Sequence, residues 1–322
     1  MKLSQAIDGF VFALKADGYS LSTVDLYRIM LAVLTSFLDD CDVDEITSSD
    51  LTRYFAYLRT DYKPQRQGSN VEPLSGSTLQ NHWKANRRFF RWAQDEIGLK
   101  ERPDVRLKLP SNNPRTILPL SEADIRALLD AAEYTREAQA SGRRNFRMKR
   151  STGDRDSAFI ILLLDTGLRC GEACRLNIKD VDLENGEVFI APFGNSRRKT
   201  KSRVVPVGKA ARRILWRYLT TRQDAAKDDP LFSTITGRRL NNNSARLLLK
   251  SLGEKAGVSN CHPHRLRHTF AVEYLRNGGD IFTLQMILGH SSLDMVRVYL
   301  QLVKADAKNA HRRSSPADKW RL

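Results

Sequence analysis

Apolar residues in the first hundred positions recur at intervals of three and four, the spacing of one face of an α-helix. The pattern predicts amphipathic helices at about 4–17, 22–39, 49–61 and 76–97. Gly18 and Gly98 stand where the first and fourth helices would end. A serine stands at or near each predicted start, in the order Ser4, Ser22, Ser48 and Ser75. We therefore expect a compact all-helical domain.

This periodicity stops in a proline-rich stretch, ERPDVRLKLPSNNPRTILPLS. Proline removes a backbone donor and breaks helices, so the stretch predicts an extended linker between two domains. The expected boundaries are residues 1–102 for the N-terminal helical domain, 103–119 for the linker, 120–302 for the second domain and 303–322 for a tail.

The second domain mixes helical and strand patterns. A helix is expected from Ser121 to about Tyr134, with Asp124 completing a capping box. After the helical run SAFIILLLDTG, VDLENGEVFIA alternates apolar and polar residues around Asn185-Gly186, which predicts a hairpin, and a third strand is expected at Arg203–Val207. Helices are predicted at 209–224, 242–256, 265–277, 281–288 and 292–302. The expected fold class is mainly α with a small antiparallel β-sheet in the C-terminal domain.

The net charge of the chain indicates which class of molecule it binds. The net charge is +16, and residues 1–110 hold 15 basic and 15 acidic residues, so the excess lies after them. Such an excess favours a polyanionic partner such as DNA, although an ordinary basic surface would give the same total. No apolar run approaches the roughly 20 residues that span a bilayer. We expect a cytoplasmic protein with no membrane partner.

Clusters of basic residues are candidate phosphate contacts. The stretch GRRNFRMKRSTGDR, residues 142–155, holds six Lys and Arg residues, and either DNA or solvent would suit it. The expected DNA-contacting residues are Arg143, Arg144, Arg147, Lys149 and Arg150 in this stretch, Arg197, Arg198 and Arg203 near the third strand, and Lys84, Arg87, Arg88 and Arg91 on the fourth helix.

Four motifs carry candidate chemistry: TGLRCGEACRL at 166–176, RRKTKSRVVPV at 197–207, HPHRLRHTFA at 262–271 and LGHSSLDMVRVYL at 288–300. Arg169 follows a glycine turn that opens a helix, and Glu172 is expected to orient it or a nearby histidine. His264 and Arg267 are three residues apart, so one helix face would hold both. A metal site built from Cys261, His262, His264 and His268 is the alternative, but the spacing of these residues does not fit metal-binding motifs.

Together these motifs resemble, in residue type, order and spacing, the tyrosine recombinases, the family of phage-type integrases and chromosome-dimer resolvases. The resemblance implies a two-domain C-shaped clamp whose nucleophile is Tyr299, nine residues after His290. It makes Arg169 and Arg267 phosphate clamps, His264 a proton-handling or hydrogen-bonding residue and His290 the last phosphate-binding residue. It also places on the hairpin a lysine that can protonate the leaving oxygen. Lys199 is the favoured lysine and Lys201 the alternative. No metal or nucleotide cofactor is implied.

The implied function is site-specific DNA recombination through a 3′-phosphotyrosine intermediate and a Holliday junction. The partners would be double-stranded DNA with a specific site and three further copies of the chain, the four protomers acting on two duplexes, with the tail docking onto a neighbour. The protein could be monomeric when free of DNA. A type IB topoisomerase and a non-catalytic DNA-binding protein are the alternatives. The sequence does not distinguish phage integration, transposition, dimer resolution or cassette exchange.

Overall fold

The computed structural model of the chain describes residues 1–64, 72–112, 118–136, 146–194, 202–289 and Ser315. The chain divides into two compact units, an N-terminal unit over Met1–Thr116 and a C-terminal unit that takes most of the chain from Ile117 onwards. None of the helices in the described ranges combines the length and the apolarity that crossing a bilayer requires.

The N-terminal unit is entirely helical, apart from its loops. Its helices are α1 Leu3–Ala16, α2 Leu21–Phe37, α3 Ser48–Thr60 and α4 Gly76–Ile97, with a short 3-10 turn at Val43–Glu45. All four predicted helices are confirmed, with ends displaced by two residues at most. Ser75 caps α4 as predicted, and Gly98 ends it in the left-handed conformation.

Three of the four serines predicted at helix starts are not the capping residues. Ser4 lies inside α1, and both its backbone N–H and its hydroxyl donate to the carboxylate of Asp40 at 2.7 Å. Ser20 and Thr47, rather than Ser22 and Ser48, are the residues whose side chains cap α2 and α3. Where a helix begins therefore depends on which side chains can accept its first backbone N–H groups, as well as on the presence of a serine.

Aromatic rings fill the core of this unit. Phe10 and Phe89 are fully buried and pack edge to face with their ring centroids 5.7 Å apart. A buried polar pair lies in the same core, where the hydroxyl of Tyr54 is 2.9 Å from Nδ1 of His82. Burial lowers the pKa of His82 from 6.5 to about 4, so the imidazole is neutral at pH 7.

This histidine predicts how the N-terminal unit responds to acid. Because the unfolded chain binds a proton near pH 6.5 and the folded chain does so only near pH 4, stability falls as the pH is lowered between these values. Near pH 4 the free energy of unfolding should be lower by about 3 kcal/mol than at pH 7. Hydrogen exchange of α3 and α4 at pH 7 and pH 4.5 measures it. His82→Gln, which does not titrate, should remove most of this pH dependence, and an unchanged dependence would contradict the assignment.

The C-terminal unit combines helices with one small sheet. Its helices are α5 Glu122–Glu133, α6 Gly153–Thr166, α7 Cys170–Arg175, α8 Lys209–Thr220, α9 Asn242–Ala256, α10 Pro263–Arg276 and α11 Ile281–Leu288. Its strands are β1 Val181–Asp182, β2 Glu187–Ile190 and β3 Arg203–Pro206, antiparallel in the order β1-β2-β3. The predicted fold class and the hairpin at Asn185-Gly186 are confirmed, with Val188 and Val205 paired and buried.

Two helix boundaries of the C-terminal unit differ from prediction by more than one residue. α8 ends at Thr220 rather than at residue 224. α10 begins at Pro263 rather than at residue 265, because proline fits the first turn of a helix and Nδ1 of His262 accepts the backbone N–H of Arg265 as a cap. The predicted helix 292–302 and the tail 303–322 fall almost wholly beyond the described residues, of which Ser315 alone belongs to the tail.

Candidate active site

The turn between α6 and α7 brings the first motif into position. Gly167 ends α6 with a φ of +60°, a conformation that favours glycine, and Arg169 is the N-cap residue of α7. A side chain at Gly167 would have its Cβ 2.3 Å from Cδ1 of Phe270 and 2.8 Å from Cδ2 of Leu288. The turn is therefore closed against α10 and α11.

Gly167→Ala should consequently destabilise the C-terminal unit. Positive φ and a steric clash together should cost about 2 to 4 kcal/mol, since strain and overpacking each cost about 1 to 3 kcal/mol. Gly257→Ala is the matched control, because Gly257 ends α9 in the same conformation and a Cβ there would meet nothing within 4 Å. Thermal unfolding compares the two variants. Equal losses would mean that the contact with Phe270 and Leu288 does not matter.

Glu172 is the acidic centre of the site. It is 3% exposed, and its Oε2 accepts the backbone N–H of Arg169 at 2.8 Å, while its Oε1 accepts Nη1 of Arg169 at 3.1 Å. Burial raises the pKa of this carboxyl, but hydrogen bonds and charge from Arg203 and Arg169 outweigh burial, and the pKa is lowered overall. Glu172 is therefore ionised at neutral pH and holds Arg169, as the sequence predicts for its orienting partner.

Arg203 also binds Glu172, and this contact was not predicted. Its Nη1 and Nη2 donate to Oε1 and Oε2 of Glu172 at 3.1 and 2.8 Å, and its Nε donates to the carbonyl of Ile287 at 2.8 Å. The side chain is 11% exposed. The sequence assigns Arg203 to the DNA backbone, whereas in the structure each of its three guanidinium nitrogens has an acceptor within the protein.

Arg267 lies deepest in the cluster. It is 1% exposed, and its Nη1 and Nη2 donate to the carbonyls of Gly167 and Leu288 at 2.7 and 2.9 Å. Gly167 and Arg267 are 100 positions apart in the chain. α10 thus presents Arg267 to the same turn that carries Arg169.

Three arginines meet at the end of α11. Arg203, Arg267 and Arg169 donate to three consecutive carbonyls, those of Ile287, Leu288 and Gly289 respectively, the last at 3.4 Å. The final carbonyls of a helix lack partners within the helix and carry partial negative charge, which suits guanidinium groups. The end of α11, immediately before residue 290 in the sequence, is therefore fixed by the basic residues of the site.

His264 stands at the exposed rim of the cluster, on α10. Its pKa is lowered, first by burial of part of the ring and then by the positive charges of Arg267, Arg169 and Arg246. The imidazole is therefore neutral at pH 7, with one nitrogen able to donate a hydrogen bond and the other able to accept one. The exposed Arg169 and His264 could together bind a tetrahedral oxyanion such as a phosphate diester, and the positive charge of the buried Arg267 would strengthen that attraction.

The sequence reasoning missed Arg246. This exposed residue of α9 acts electrostatically on both His264 and His262, and the start of α9 lies against α7 through Cys170 and the carbonyl of Asn242. Its location depends on how α7, α9 and α10 pack, which no local motif indicates. As for the alternative metal site, no cluster of three or more potential ligands occurs among the residues that the structure describes.

The basic stretch 142–155 is largely neutralised where the structure describes it. Arg147 pairs with Asp130, Lys149 with Asp154, and Arg150 with the buried Asp156 at 2.9 Å. Arg150 also donates to the carbonyl of Ala132. The partners of Arg150 are therefore within the protein, whereas the sequence predicts a phosphate contact. The run of basic residues does not show which of them are neutralised by acidic residues of the folded chain.

The basic residues of α4 are different. Lys84, Arg87, Arg88 and Arg91 are all exposed, and their spacing puts them on one helix face. Arg87 lies over the ring of Trp83 and Arg88 over that of Tyr19, at 5.1 and 4.4 Å from the ring centroids. Within the described ranges, none of the four forms an ion pair with a carboxylate. This face therefore concentrates four positive charges outside ion pairs, with the acidic residues Asp17, Asp95 and Glu96 lining the same groove.

Several predicted site residues lie outside the described ranges and stay predictions. They are the candidate nucleophile Tyr299, the histidine His290, the lysines Lys199 and Lys201, and the basic residues Arg143, Arg144, Arg197 and Arg198.

Comparison with known proteins gives concordant matches for both halves of the chain. The profile described as the Phage integrase family matches residues 119–306, and that of the Phage integrase, N-terminal SAM-like domain matches residues 7–98. The tyrosine recombinase XerC of Alcanivorax borkumensis is 31% identical over 284 residues, covering 87% of this chain and 83% of XerC. The tyrosine recombinase XerD of Oceanobacillus iheyensis is 27% identical over 325 residues, covering 98% of this chain and 99% of XerD.

Among solved structures, the Tn1549 transposon integrase in complex with a circular intermediate DNA superposes with a TM-score of 0.71. It is 20% identical and covers 93% of this chain and 95% of that chain. This similarity supports the same fold.

Proposed function

Since the chain belongs to the phage integrase family and is a tyrosine recombinase, an enzyme that breaks and rejoins DNA strands, we propose that Tyr299 is its nucleophile and that Arg169, Arg267 and His264 bind the scissile phosphate. The observation that carries this assignment is that Arg169 and Arg267 meet between the α6–α7 turn and the end of α11. His264 lies one helical turn before Arg267 on α10, close enough for the charges of both arginines to lower its pKa. His290, which follows the fixed end of α11, is proposed as a further phosphate ligand.

The proposed reaction exchanges one phosphate ester for another. The phenolic oxygen of Tyr299 attacks phosphorus, the bond from phosphorus to the 5′-oxygen breaks, and a 3′-phosphotyrosine and a free 5′-hydroxyl result. Arg169 and Arg267 would neutralise the non-bridging oxygens, whose charge grows in the transition state. Religation is the same exchange in reverse, so no external energy source is required.

The wider assembly belongs to the same proposal. The partner would be double-stranded DNA with a specific site, and four protomers would act on two duplexes through a Holliday junction, with the tail 303–322 docking onto a neighbour. The exposed basic face of α4 supports a phosphate-binding role for the domain 1–102. Solved relatives bound to DNA, such as the Tn1549 integrase, accord with this partner. We propose that the enzyme acts in the cytoplasm.

Because the target site is unknown, the test begins with a selection. The purified protein is incubated with duplexes of randomised sequence, and the DNA that stays attached after denaturation is sequenced. Enrichment of one site, followed by adduct formation on a nicked duplex of that site and strand exchange between two such duplexes, would support the proposal. Plasmid relaxation without an enriched site would instead indicate a topoisomerase, and absence of any adduct would overturn the enzymatic proposal.

Lys199 is proposed as the general acid that protonates the departing 5′-oxygen. Lys199→Ala should slow cleavage about 100- to 1000-fold on a normal duplex, since a positioned acid contributes about 10²- to 10⁴-fold. A 5′-bridging phosphorothiolate, whose sulfur leaves without a proton, should restore most of the rate. Lys201→Ala is the matched variant and should cleave both substrates nearly normally. The reverse pattern would assign the role to Lys201.

A further inference from the structure

Arg203 occupies an unusual place for the last residue of the basic run RRKTKSR. It is the first residue of β3 and pairs with Ile190 in the sheet, but its side chain leaves the sheet and enters the cluster around Glu172. Nε, Nη1 and Nη2 each donate to an acceptor, at 2.8, 3.1 and 2.8 Å. To contact DNA, this guanidinium would have to give up a nearly buried, bidentate ion pair.

The carboxylate that Arg203 binds is shared with Arg169. Oε1 of Glu172 accepts Nη1 of Arg203 and Nη1 of Arg169, both at 3.1 Å. Arg203 holds both oxygens of the carboxylate, so it fixes the orientation in which Glu172 meets Arg169. Arg169 in turn has a side chain that is 43% exposed, which leaves part of its guanidinium accessible to a ligand.

The same guanidinium also contacts the end of α11. It donates to the carbonyl of Ile287, and a Cβ added to Gly289 would lie 3.1 Å from its Cζ. Arg169 donates to the carbonyl of Gly289. A single side chain from β3 therefore joins α7 to the end of α11, at the two points where Arg169 is held.

We infer that Arg203 is a positioning residue of the recombinase, which orients Arg169 toward the scissile phosphate by holding Glu172 and the end of α11. This inference rests on the proposed role of Arg169. A planar guanidinium can bind two carboxylate oxygens and a carbonyl at once, whereas a lysine ammonium at the end of a flexible chain cannot reproduce this fork. Arg203→Lys therefore keeps the charge and removes the geometry.

The matched control is Arg212→Lys. Arg212, on α8, also donates to backbone carbonyls, those of Leu183 and Glu184, but it contacts none of the cluster. On the nicked duplex of the selected site, Arg203→Lys should slow cleavage on the order of 10- to 100-fold, the usual effect of displacing a reacting group by a fraction of an ångström to an ångström. Non-covalent affinity for that duplex should stay within about twofold, and Arg212→Lys should change neither value appreciably.

A double-mutant cycle tests whether Arg203 acts through Arg169. In an Arg169→Lys background, Arg203→Lys should cost less than about threefold in cleavage rate, because the group that it positions is already gone. Arg212→Lys should have the same small effect in both backgrounds. If Arg203→Lys costs the same factor with and without Arg169, or weakens DNA binding as much as it slows cleavage, Arg203 acts independently and the inference is overturned.

A measurement without DNA separates this inference from the proposed reaction. The ¹⁵N relaxation of the Arg169 guanidinium, assigned from the spectrum of Arg169→Lys, should show an ordered side chain in the wild type and in Arg212→Lys. It should show increased mobility in Arg203→Lys. Unchanged order would overturn the positioning role even if cleavage were slow, whereas a wild type that forms no adduct would overturn the proposed function alone.

Discussion

Tyr299→Phe should abolish covalent attachment to DNA, with cleavage reduced on the order of 10⁴-fold or more, because removal of a nucleophile eliminates the reaction path itself. The variant lacks a single oxygen, so its folding and its non-covalent affinity for the selected site should match those of the wild type. A denaturing gel measures the adduct, and a native gel measures the affinity.

Tyr274→Phe supplies the control for loss of a phenolic hydroxyl. Tyr274 lies in α10, where its ring packs 5.6 Å from that of Phe270, and we expect it to be needed only for packing. It should form adduct at the wild-type rate. Persistence of an adduct in Tyr299→Phe would show that another residue attacks, and mass spectrometry of the attached peptide would then identify it.

Arg267→Lys should combine loss of catalysis with loss of stability. An ammonium cannot reach the carbonyls of both Gly167 and Leu288, so at least one buried acceptor is left without this partner. The expected cost is about 1 to 3 kcal/mol in the free energy of unfolding of the C-terminal unit. Cleavage should fall on the order of 10²- to 10³-fold, the usual loss when one donor to a developing oxyanion is removed. Denaturant unfolding and adduct formation measure the two effects.

Arg265→Lys distinguishes the two losses. Arg265 lies two residues before Arg267 on α10 and donates to the carbonyls of Leu118 and Ser259, so its replacement also removes carbonyl contacts. We expect some loss of stability and near-normal cleavage. A comparable loss of cleavage in both variants would mean that Arg267 acts through the stability of α10 rather than at the phosphate.

Local sequence rules predicted the fold well where local contacts decide it. The capping box of Ser121 and Asp124, the hairpin at Asn185-Gly186 and the left-handed Gly98 each depend on residues within a few positions of one another. The structure also brings Arg169 and Arg267 together. Their motifs were recognised through a family pattern rather than through helix or strand propensity, and their roles at a phosphate stay proposals.

Contacts between distant residues were not predictable in the same way. Arg203 and Glu172 are 31 positions apart, and a run of basic residues does not reveal which of them will meet a buried carboxylate. The charge pattern thus indicated a phosphate contact for Arg203, whose carboxylate partner lies in α7. The bonds to the three carbonyls at the end of α11 involve backbone atoms, so no pattern of side chains could predict them.

The row of guanidinium groups at the end of α11 carries a consequence for handling the protein. Among the residues that the structure describes, Arg169 and Arg203 share the buried carboxylate of Glu172 and Arg267 donates to carbonyls beside them, so positive charge is concentrated there when no DNA is bound. Like charges held close together repel one another, and an anion that binds the folded form stabilises it by mass action. We therefore expect sulfate or phosphate to stabilise the folded enzyme more than chloride does, and the same anions to compete with DNA in a cleavage assay.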